Sequence, residues 1–177
     1  MADLVLVTSP QLKDEFEANG IERVAVWRKG IDTVRFSPRF KAQQMRSQLG
    51  GGLAPLPGAQ PATPLLLYVG RIAVEKRLQD LLPVLLAHPA ARLALVGTGP
   101  AKLELEQLFA AAGLGDRVAF LGQLSGDRLS AAFASADCFV MPSDSETLGF
   151  VVLEAMASGV PVVGARAGGI PSLILDG

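Results

Sequence analysis

The sequence predicts an α/β protein with a doubly wound parallel sheet. Short runs of aliphatic and β-branched residues alternate with helical stretches of about ten residues, and this alternation becomes regular after Pro64. Hydrophobic residues make up 50% of the chain, which suits strands that helices cover on both faces. Helices between successive strands imply right-handed crossovers, and such crossovers make the strands parallel.

The elements before Pro64 are short. Ser9 is a suitable N-cap for a first helix, and Gly20 a suitable stop. The residues from Gly50 to Pro64 are rich in glycine and proline and lack periodicity, so they predict a flexible loop, which we interpret as a tolerated insertion. We expect strands at Leu4–Val7 and Arg23–Trp27, and helices at Pro10–Asn19 and Pro38–Leu49.

Five strands and four helices are expected after that loop. The strands are Leu65–Val69, Arg92–Val96, Arg117–Leu121, Cys138–Met141 and Pro161–Gly164. The helices are Leu78–Ala87, Ala101–Ala112, Asp127–Ala134 and Gly149–Ala157. In a parallel sheet the loops at the carboxyl ends of the strands meet at one edge, where ligands bind. The loops 70–77, 97–102, 122–127, 142–147 and 165–171 are rich in glycine or small polar residues, so we expect the site there.

Composition excludes several classes of function. With 16 basic and 17 acidic residues, the chain has no basic excess to attract nucleic acid. The single cysteine, Cys138, lies in an apolar run and is interpreted as a core residue in a reducing compartment. It cannot form a zinc site with His88, the single histidine. No strand is followed by the G-x-G-x-x-G pattern, which argues against a nicotinamide or flavin cofactor, and no signal peptide is expected.

One carboxylate stands in a helix that is otherwise apolar. Glu154 lies in the predicted helix from Gly149 to Ala157, eight residues after Glu146. A buried carboxylate without donors costs several kcal/mol, so Glu154 requires partners. Sugar hydroxyls would supply them, and an internal ion pair with a basic residue is the alternative. The start of this helix, with Thr147 or Ser145 available as a cap, suits a phosphate.

Two basic residues accompany that helix at the expected edge. Arg71 and Lys76 lie in one loop between a strand and a helix, and together they can neutralise a diphosphate without a metal ion. Either one alone would be an ordinary solvated charge. Gly97 and Gly99 in "GTGP" fit a nucleotide-binding loop, or they serve only to make a tight turn. No cluster of aspartates resembles a magnesium site.

These motifs resemble a known family. The segments "GR…EK", "GTGP", "MPSDSETLGF" and "ASGVPVVGARAGGIP" together are similar to the carboxyl-terminal, Rossmann-like domain of retaining glycosyltransferases with the GT-B fold, of family 4. Within that family, "VWRKGIDTVRFSPRFK" and "SETLGFVVLEAMASGVPVVGARAGGIP" look most like the plant and cyanobacterial sulfoquinovosyltransferases. The resemblance extends from near Val24 to Pro171. It implies that 1–20 is a remnant of an amino-terminal domain and linker, and that 21–177 is a nucleotide-sugar-binding domain truncated at its end.

The resemblance also assigns roles to residues. Arg71 and Lys76 match a diphosphate-binding pair, and with Glu146, which matches a glutamate on the donor sugar, they are the catalytic candidates. Glu154 matches a glutamate that holds the nucleotide ribose. The amides of Gly149, Phe150 and Val151 match those that face phosphate and sugar. The implied donor-binding set is Gly70, Arg71, Lys76, Gly97, Gly99, Glu146, Thr147, Leu148, Gly149, Phe150, Val151 and Glu154.

The implied reaction is transfer of sulfoquinovose from UDP to diacylglycerol with retention of configuration. The leaving phosphate would accept the proton of the acceptor, so no protein nucleophile, metal or cofactor is expected. Diacylglycerol would be met at a membrane surface through the missing domain, with the protein peripheral to a chloroplast membrane, although this chain shows no targeting segment. Arg28 and Lys29 could pair with a sulfonate, or be a phosphate contact or solvated charges. The alternatives are a non-catalytic nucleotide-sugar-binding fragment and a family 4 transferase with another sugar nucleotide.

Overall fold

The architecture is a five-stranded parallel sheet between helices, preceded by a small two-stranded sheet. A computed structural model describes residues 3–27, 30–52, 63–146 and 149–174. The strands of the large sheet are β3 (Leu65–Val69), β4 (Arg92–Val96), β5 (Val118–Gly122), β6 (Cys138–Met141) and β7 (Val162–Gly164). Their order is β5-β4-β3-β6-β7, and every neighbouring pair is parallel. The prediction of a doubly wound parallel sheet is confirmed.

The smaller sheet pairs β1 (Val5–Val7) with β2 (Val24–Val26) in parallel. Helix α1 (Pro10–Ala18) connects them, and the Ser9 hydroxyl accepts a hydrogen bond from the Leu12 amide at 3.2 Å, as an N-cap does. Gly20 follows with a φ of 80°, so the expected start and stop of this helix are confirmed.

The helix expected over Pro38–Leu49 is interrupted, and that prediction is wrong in its middle. Pro38–Phe40 forms one turn of 3₁₀-helix, and α2 begins later, at Gln43–Leu49. Between them Ala42 is extended because its amide and its carbonyl both hydrogen-bond to the Ser135 hydroxyl, at 3.0 and 3.2 Å. A tertiary contact therefore overrides the local helical pattern.

The other expected helices form with small shifts of their ends. Leu78–Asp80 is a 3₁₀ turn that leads into α3 (Leu81–Ala87). The remaining helices are α4 (Lys102–Ala111), α5 (Gly126–Ser135) and α6 (Phe150–Ala157). Of the flexible loop expected at 50–64, residues 53–62 lie outside the described part of the chain.

The core lies between the sheet and its helices. A buried pair of aromatic rings packs inside it, and a group of charged contacts borders it at the amino ends of the strands. The rings of Phe133 and Phe139 are buried with their centroids 5.7 Å apart. At the amino ends of the strands, the Arg46 guanidinium contacts the Asp137 carboxylate at 2.6 Å, and that carboxylate accepts the Leu65 amide at 2.8 Å. These contacts tie α2 to β3 and β6 at the edge opposite to the predicted site. No helix within the described ranges is long and apolar enough to cross a membrane.

Candidate functional site

The strand order creates a crevice between β3 and β6. From β3 the chain continues outward through β4 and β5, and then crosses to β6 on the other side of β3. The loops after β3 and β6 therefore leave the sheet in opposite directions, which opens the place where doubly wound proteins bind ligands. The expected convergence of the loops on one edge is confirmed by the parallel pairing of β3 with β6.

The loop after β3 is hydrogen-bonded to a buried tyrosine side chain of that strand. Tyr68 is fully buried in β3, and its hydroxyl donates to the Arg71 carbonyl at 2.9 Å. Burial raises the pKa of Tyr68 well above its ordinary value, and the negative charges of Glu146 and Glu75 add to this effect. The hydroxyl therefore remains a donor and fixes the backbone from which the Arg71 side chain extends.

Lys76 and Glu146 meet across the crevice. The Lys76 Nζ lies 3.0 Å from the Glu146 Oε2, and the two side chains are only 19% and 18% exposed. The other oxygen, Oε1, accepts the Gly149 amide at 3.2 Å. One carboxylate thus contacts the basic loop after β3 and the first amide before α6. The structure brings together three residues that the sequence placed in the site.

Arg71 occupies a more open position than Lys76. Its side chain is largely exposed, and its Nη1 lies 3.6 Å from the Glu75 Oε1. The two basic residues are therefore unlike in their surroundings: Lys76 is enclosed and paired across the crevice, whereas Arg71 faces solvent beside a carboxylate of its own loop. Arg71 is free to turn toward a ligand at little cost, because exposed ion pairs contribute about 0–1 kcal/mol.

Glu154 is half-buried on α6, and its helix is less enclosed than the sequence indicates. Val152 and Ala155 are buried, but Met156 is 47% exposed, so this apolar helix is not buried on every face. Within the described ranges the Glu154 carboxylate makes no hydrogen bond or ion pair. Burial raises its pKa, and the charge of Arg35 partly opposes this. For the alternative of an internal ion pair, no basic group among the described residues lies within ion-pair distance of Glu154, and Arg35 acts on it only through its charge.

At the start of α6, Ser145, one of the two expected caps, does not cap the helix. Gly149 is the N-cap in the left-handed region, with a φ of 63°, and no side chain among the described residues caps the helix. Ser145 is not the cap, because its hydroxyl faces the Glu75 carbonyl at 3.5 Å and Ser143 at 3.4 Å. Thr147, the other candidate cap, and Leu148, a donor-binding candidate, lie outside the described residues, as do Arg28 and Lys29. The adjacent candidates Phe150 and Val151 form the first turn of α6.

Glycines allow the loops after β3 and β4 to pack backbone against backbone. A Cβ on Gly97 would collide with the Gly70 carbonyl, and one on Gly99 would collide with the backbone of Ile72. The Ile72 amide donates to the Thr98 carbonyl at 2.9 Å. Gly97 and Gly99 thus serve close loop packing, not merely a tight turn.

These packed loops line an open cleft of about 500 Å³ beside the crevice. Its walls come from the ends of three neighbouring strands, β3, β4 and β5, and from the loops that follow them. The cleft is lined by Val69, Gly70, Arg71, Val96, Gly97, Thr98, Gly99, Gln123 and Leu124. Gly70, Arg71, Gly97 and Gly99 of the expected donor-binding set therefore share one concave surface.

The loop after β7 also supports the site. The Gly169 amide donates to the Glu146 carbonyl at 2.6 Å, and a Cβ on Gly168 would collide with the Glu146 backbone. Gly168 has a φ of 56°. Sequence reasoning named this loop but missed its contact with Glu146. It also missed Tyr68, since nothing in the run "LLLYV" distinguishes a phenol that reaches the next loop from an ordinary core residue.

No group of His, Cys, Asp and Glu suited to a metal ion occurs within the ranges that the structure describes. The charged groups at the crevice include the cations of Arg71 and Lys76 and the carboxylates of Glu75 and Glu146, on neighbouring loops. Such an arrangement, at the carboxyl edge of a doubly wound sheet, can bind a phosphorylated ligand through cations and backbone amides.

Comparison with known proteins places the chain in a class. The model of the family described as glycosyl transferases group 1 matches residues 57–177. The chain belongs to that family, and the recognition made from its motifs is confirmed. Its fold is that of one half of a GT-B glycosyltransferase, as in HepE of Anabaena, whose structure in complex with UDP and glucose matches with a TM-score of 0.82. That match has 27% identity and covers 100% of this chain and 48% of HepE.

The chain is also similar to individual proteins of stated activity. The sulfoquinovosyl transferase SQD2 of Arabidopsis thaliana is 49% identical over 176 residues, which are 98% of this chain and 32% of that protein. A GDP-mannose-dependent alpha-mannosyltransferase of Mycolicibacterium smegmatis is 35% identical over 98% of this chain and 42% of its own length. Sucrose-phosphate synthase from Thermosynechococcus elongatus matches with a TM-score of 0.79 and 31% identity over 96% of this chain and 42% of that one. The chain thus spans less than half the length of these relatives.

Proposed function

We propose that this chain is the donor-binding part of a retaining glycosyltransferase that uses a UDP-sugar. The observation that carries the proposal is the contact of Lys76 and the Gly149 amide with one carboxylate at the crevice, because it brings a cation and a helix-start amide to the same point. Cations and helix-start amides are both common hydrogen-bond donors to phosphate groups. HepE, which has this fold, was solved with UDP and glucose.

In this proposal each group has a separate task. Lys76 and Arg71 bind the diphosphate and stabilise the charge that develops on the leaving UDP. Glu146 accepts hydrogen bonds from hydroxyls of the donor sugar. Glu154 accepts hydrogen bonds from the ribose, whose hydroxyls supply the donors that the described residues do not. No protein nucleophile is required, and neither is a metal ion.

The proposed donor is UDP-sulfoquinovose and the proposed acceptor is diacylglycerol. Support comes from the 49% identity to a protein named sulfoquinovosyl transferase. The acceptor would be met at a membrane surface, with the protein peripheral to it, and a chloroplast location would follow from the same likeness. A sugar nucleotide of another kind is the second candidate, since mannosyltransferases that depend on GDP-mannose are 33–36% identical over nearly the whole chain.

Calorimetric titration of the purified chain tests the donor site. UDP should bind in the presence of EDTA, and Arg71→Ala should weaken it by about 1.5–3 kcal/mol, the value of a charge-assisted hydrogen bond. Loss of binding on chelation, or unchanged affinity of the variant, would contradict the site. Titration with GDP and ADP in parallel distinguishes the two donor classes, and assays with a panel of sugar nucleotides and diacylglycerol then test the reaction in a longer protein that contains this chain.

Glu154→Gln tests the ribose contact within the same assay. The variant should weaken UDP far more than free pyrophosphate, because pyrophosphate has no ribose. Equal losses for both ligands would contradict the ribose contact and favour a general structural role for Glu154. Glu104→Gln on the exposed face of α4 provides a matched control, and it should leave both affinities unchanged.

A further inference from the structure

Arg77 joins the two loops that border the crevice. It directly follows Lys76, and its Nη1 donates to the Asp144 Oδ2 at 3.0 Å across the crevice. Its Nε also donates to the Asp80 Oδ2 at 2.8 Å within its own stretch of chain. Asp144 stands two residues before Glu146. The Arg77–Asp144 pair therefore connects the residue that follows Lys76 to a residue two positions before Glu146, beside the central ion pair.

The left-handed backbone conformation of Arg77 suggests that its side chain contributes contacts that a glycine could not provide. Arg77 has a φ of 52° and a ψ of 36°, in the left-handed region. This conformation costs a residue with a Cβ about 1–2 kcal/mol, whereas glycine adopts it freely. Glycine would thus satisfy the turn at position 77, between the 3₁₀ segments Val74–Lys76 and Leu78–Asp80. Arginine is useful here only through what its guanidinium contacts.

Those contacts contribute little to global stability. Arg77 and Asp144 are 47% and 50% exposed, and exposed pairs of this kind contribute about 0–1 kcal/mol. That gain barely offsets the backbone strain. Apart from the Lys76–Glu146 ion pair itself, the side-chain contacts that the structure describes between these loops near Arg77 are long hydrogen bonds, from the Ser143 and Ser145 hydroxyls to the Glu75 carbonyl at 3.4 and 3.5 Å. The guanidinium is therefore well placed to fix the relative position of the loops.

We propose that Arg77 is a positioning residue that, through Asp144, holds Lys76 and Glu146 in register for a diphosphate ligand. This inference rests on the proposed function of the crevice. Neither Arg77 nor Asp144 belongs to the expected donor-binding set, and the role assigned here is exerted through Lys76. The chemistry recognised is that of the diphosphate of a nucleotide.

The sign of one substitution separates this role from direct binding. If Arg77 contacted the phosphates itself, Asp144→Asn would release its guanidinium and remove a negative charge near an anionic ligand, so the affinity for UDP would rise. If Arg77 acts by positioning, Asp144→Asn removes the other end of the connection, and the affinity falls despite the more favourable charge. Electrostatics and positioning thus predict opposite results for the same variant.

The experiment compares four variants by titration with UDP and by thermal unfolding. Arg77→Gly and Asp144→Asn should each weaken UDP by about 3- to 10-fold, and the double variant should be no weaker than either single one, because both remove one interaction. Arg77→Gly should leave the midpoint of unfolding unchanged or slightly higher, since glycine relieves the strain. Asp80→Asn, which removes only the local contact, is the control and should change UDP affinity less than about 2-fold.

If the wild-type protein fails to bind UDP, that result overturns the proposed function but does not test the role of Arg77. A measurement without ligand tests that role separately. Amide hydrogen exchange should become faster in both 70–80 and 142–146 in Arg77→Gly and Asp144→Asn. The positioning role would be overturned if exchange became faster in 70–80 alone, or if Asp144→Asn bound UDP more tightly than wild type. It would also be overturned if the losses of UDP affinity added up in the double variant, or if Asp80→Asn lowered that affinity as much as Asp144→Asn does.

Discussion

At the scale of single residues, the central feature of the site is the Glu146 carboxylate, which contacts two different groups. Its two oxygens contact Lys76 and the Gly149 amide, the same two groups that the proposal assigns to a diphosphate. In the ligand-free protein the carboxylate therefore competes with the anion that the site is proposed to bind. Glu154 has the opposite character, since burial raises its pKa and the described residues offer it no hydrogen bond.

Glu146→Gln should bind pyrophosphate more tightly than wild type does, by about 3- to 10-fold, because removing a charge next to Lys76 removes repulsion of the order expected at a partly exposed site. The glutamine can still accept the Gly149 amide. The preference for a UDP-sugar over UDP should fall at the same time, since the proposed sugar contact is weaker. Isothermal calorimetry with the three ligands measures both effects, and weaker pyrophosphate binding would show that Glu146 mainly orders Lys76.

At the scale of elements, the amino ends of β3 and β6 are joined by charged contacts. Asp137 accepts hydrogen bonds from Arg46 on α2 and from the Leu65 amide. Desolvation alone would raise the pKa of Asp137, but these hydrogen bonds and the charge of Arg46 outweigh it and lower the pKa. The ionised form is therefore favoured by folding, and α2 is held against the sheet although it is a short helix.

Asp137→Asn should destabilise the protein by about 1–2 kcal/mol at neutral pH, the range for a partly exposed ion pair with a backbone hydrogen bond. Because the folded-state pKa is lowered, the stabilisation is present above the unfolded value of about 3.9 and is lost as the pH falls through the folded value. The difference between variant and wild type should therefore shrink in acid. Urea unfolding at a series of pH values measures it, with the exposed Asp116→Asn as control.

Sequence patterns predicted most elements because hydrophobic periodicity reports local geometry. The strands β3, β4 and β6 begin and end at the expected residues. The sequence could not predict where tertiary hydrogen bonds change the backbone. Ala42 is drawn out of a helix by Ser135, a residue 93 positions away. Arg77 adopts a left-handed conformation that no propensity for arginine indicates.

At the scale of the whole molecule, topology assembles the site from distant segments. The order β5-β4-β3-β6-β7 brings loops separated by 70 residues, those of Lys76 and Glu146, to one crevice. The motifs and the family resemblance nominated the residues as candidates, and the parallel pairing of β3 and β6 brings the loops that carry them to the same edge. The contacts among loops, such as Gly169 with Glu146, could not be predicted, because they depend on loop conformations that periodicity does not report.

The buried phenol under the loop after β3 should make the protein sensitive to alkali, and the same phenol can report its own ionisation by absorbance. Tyr68 is the single tyrosine of the chain, so tyrosinate absorbance comes from one known position. Its folded-state pKa is raised, so the stabilisation it provides is complete below the unfolded value of about 10 and is lost as the pH rises further. The free energy of unfolding of Tyr68→Phe should therefore fall less steeply with rising pH above about 10 than that of wild type. In wild type the tyrosinate signal should appear together with unfolding, and UDP should delay both; ionisation in the folded protein near the ordinary pKa would contradict the burial of this hydroxyl.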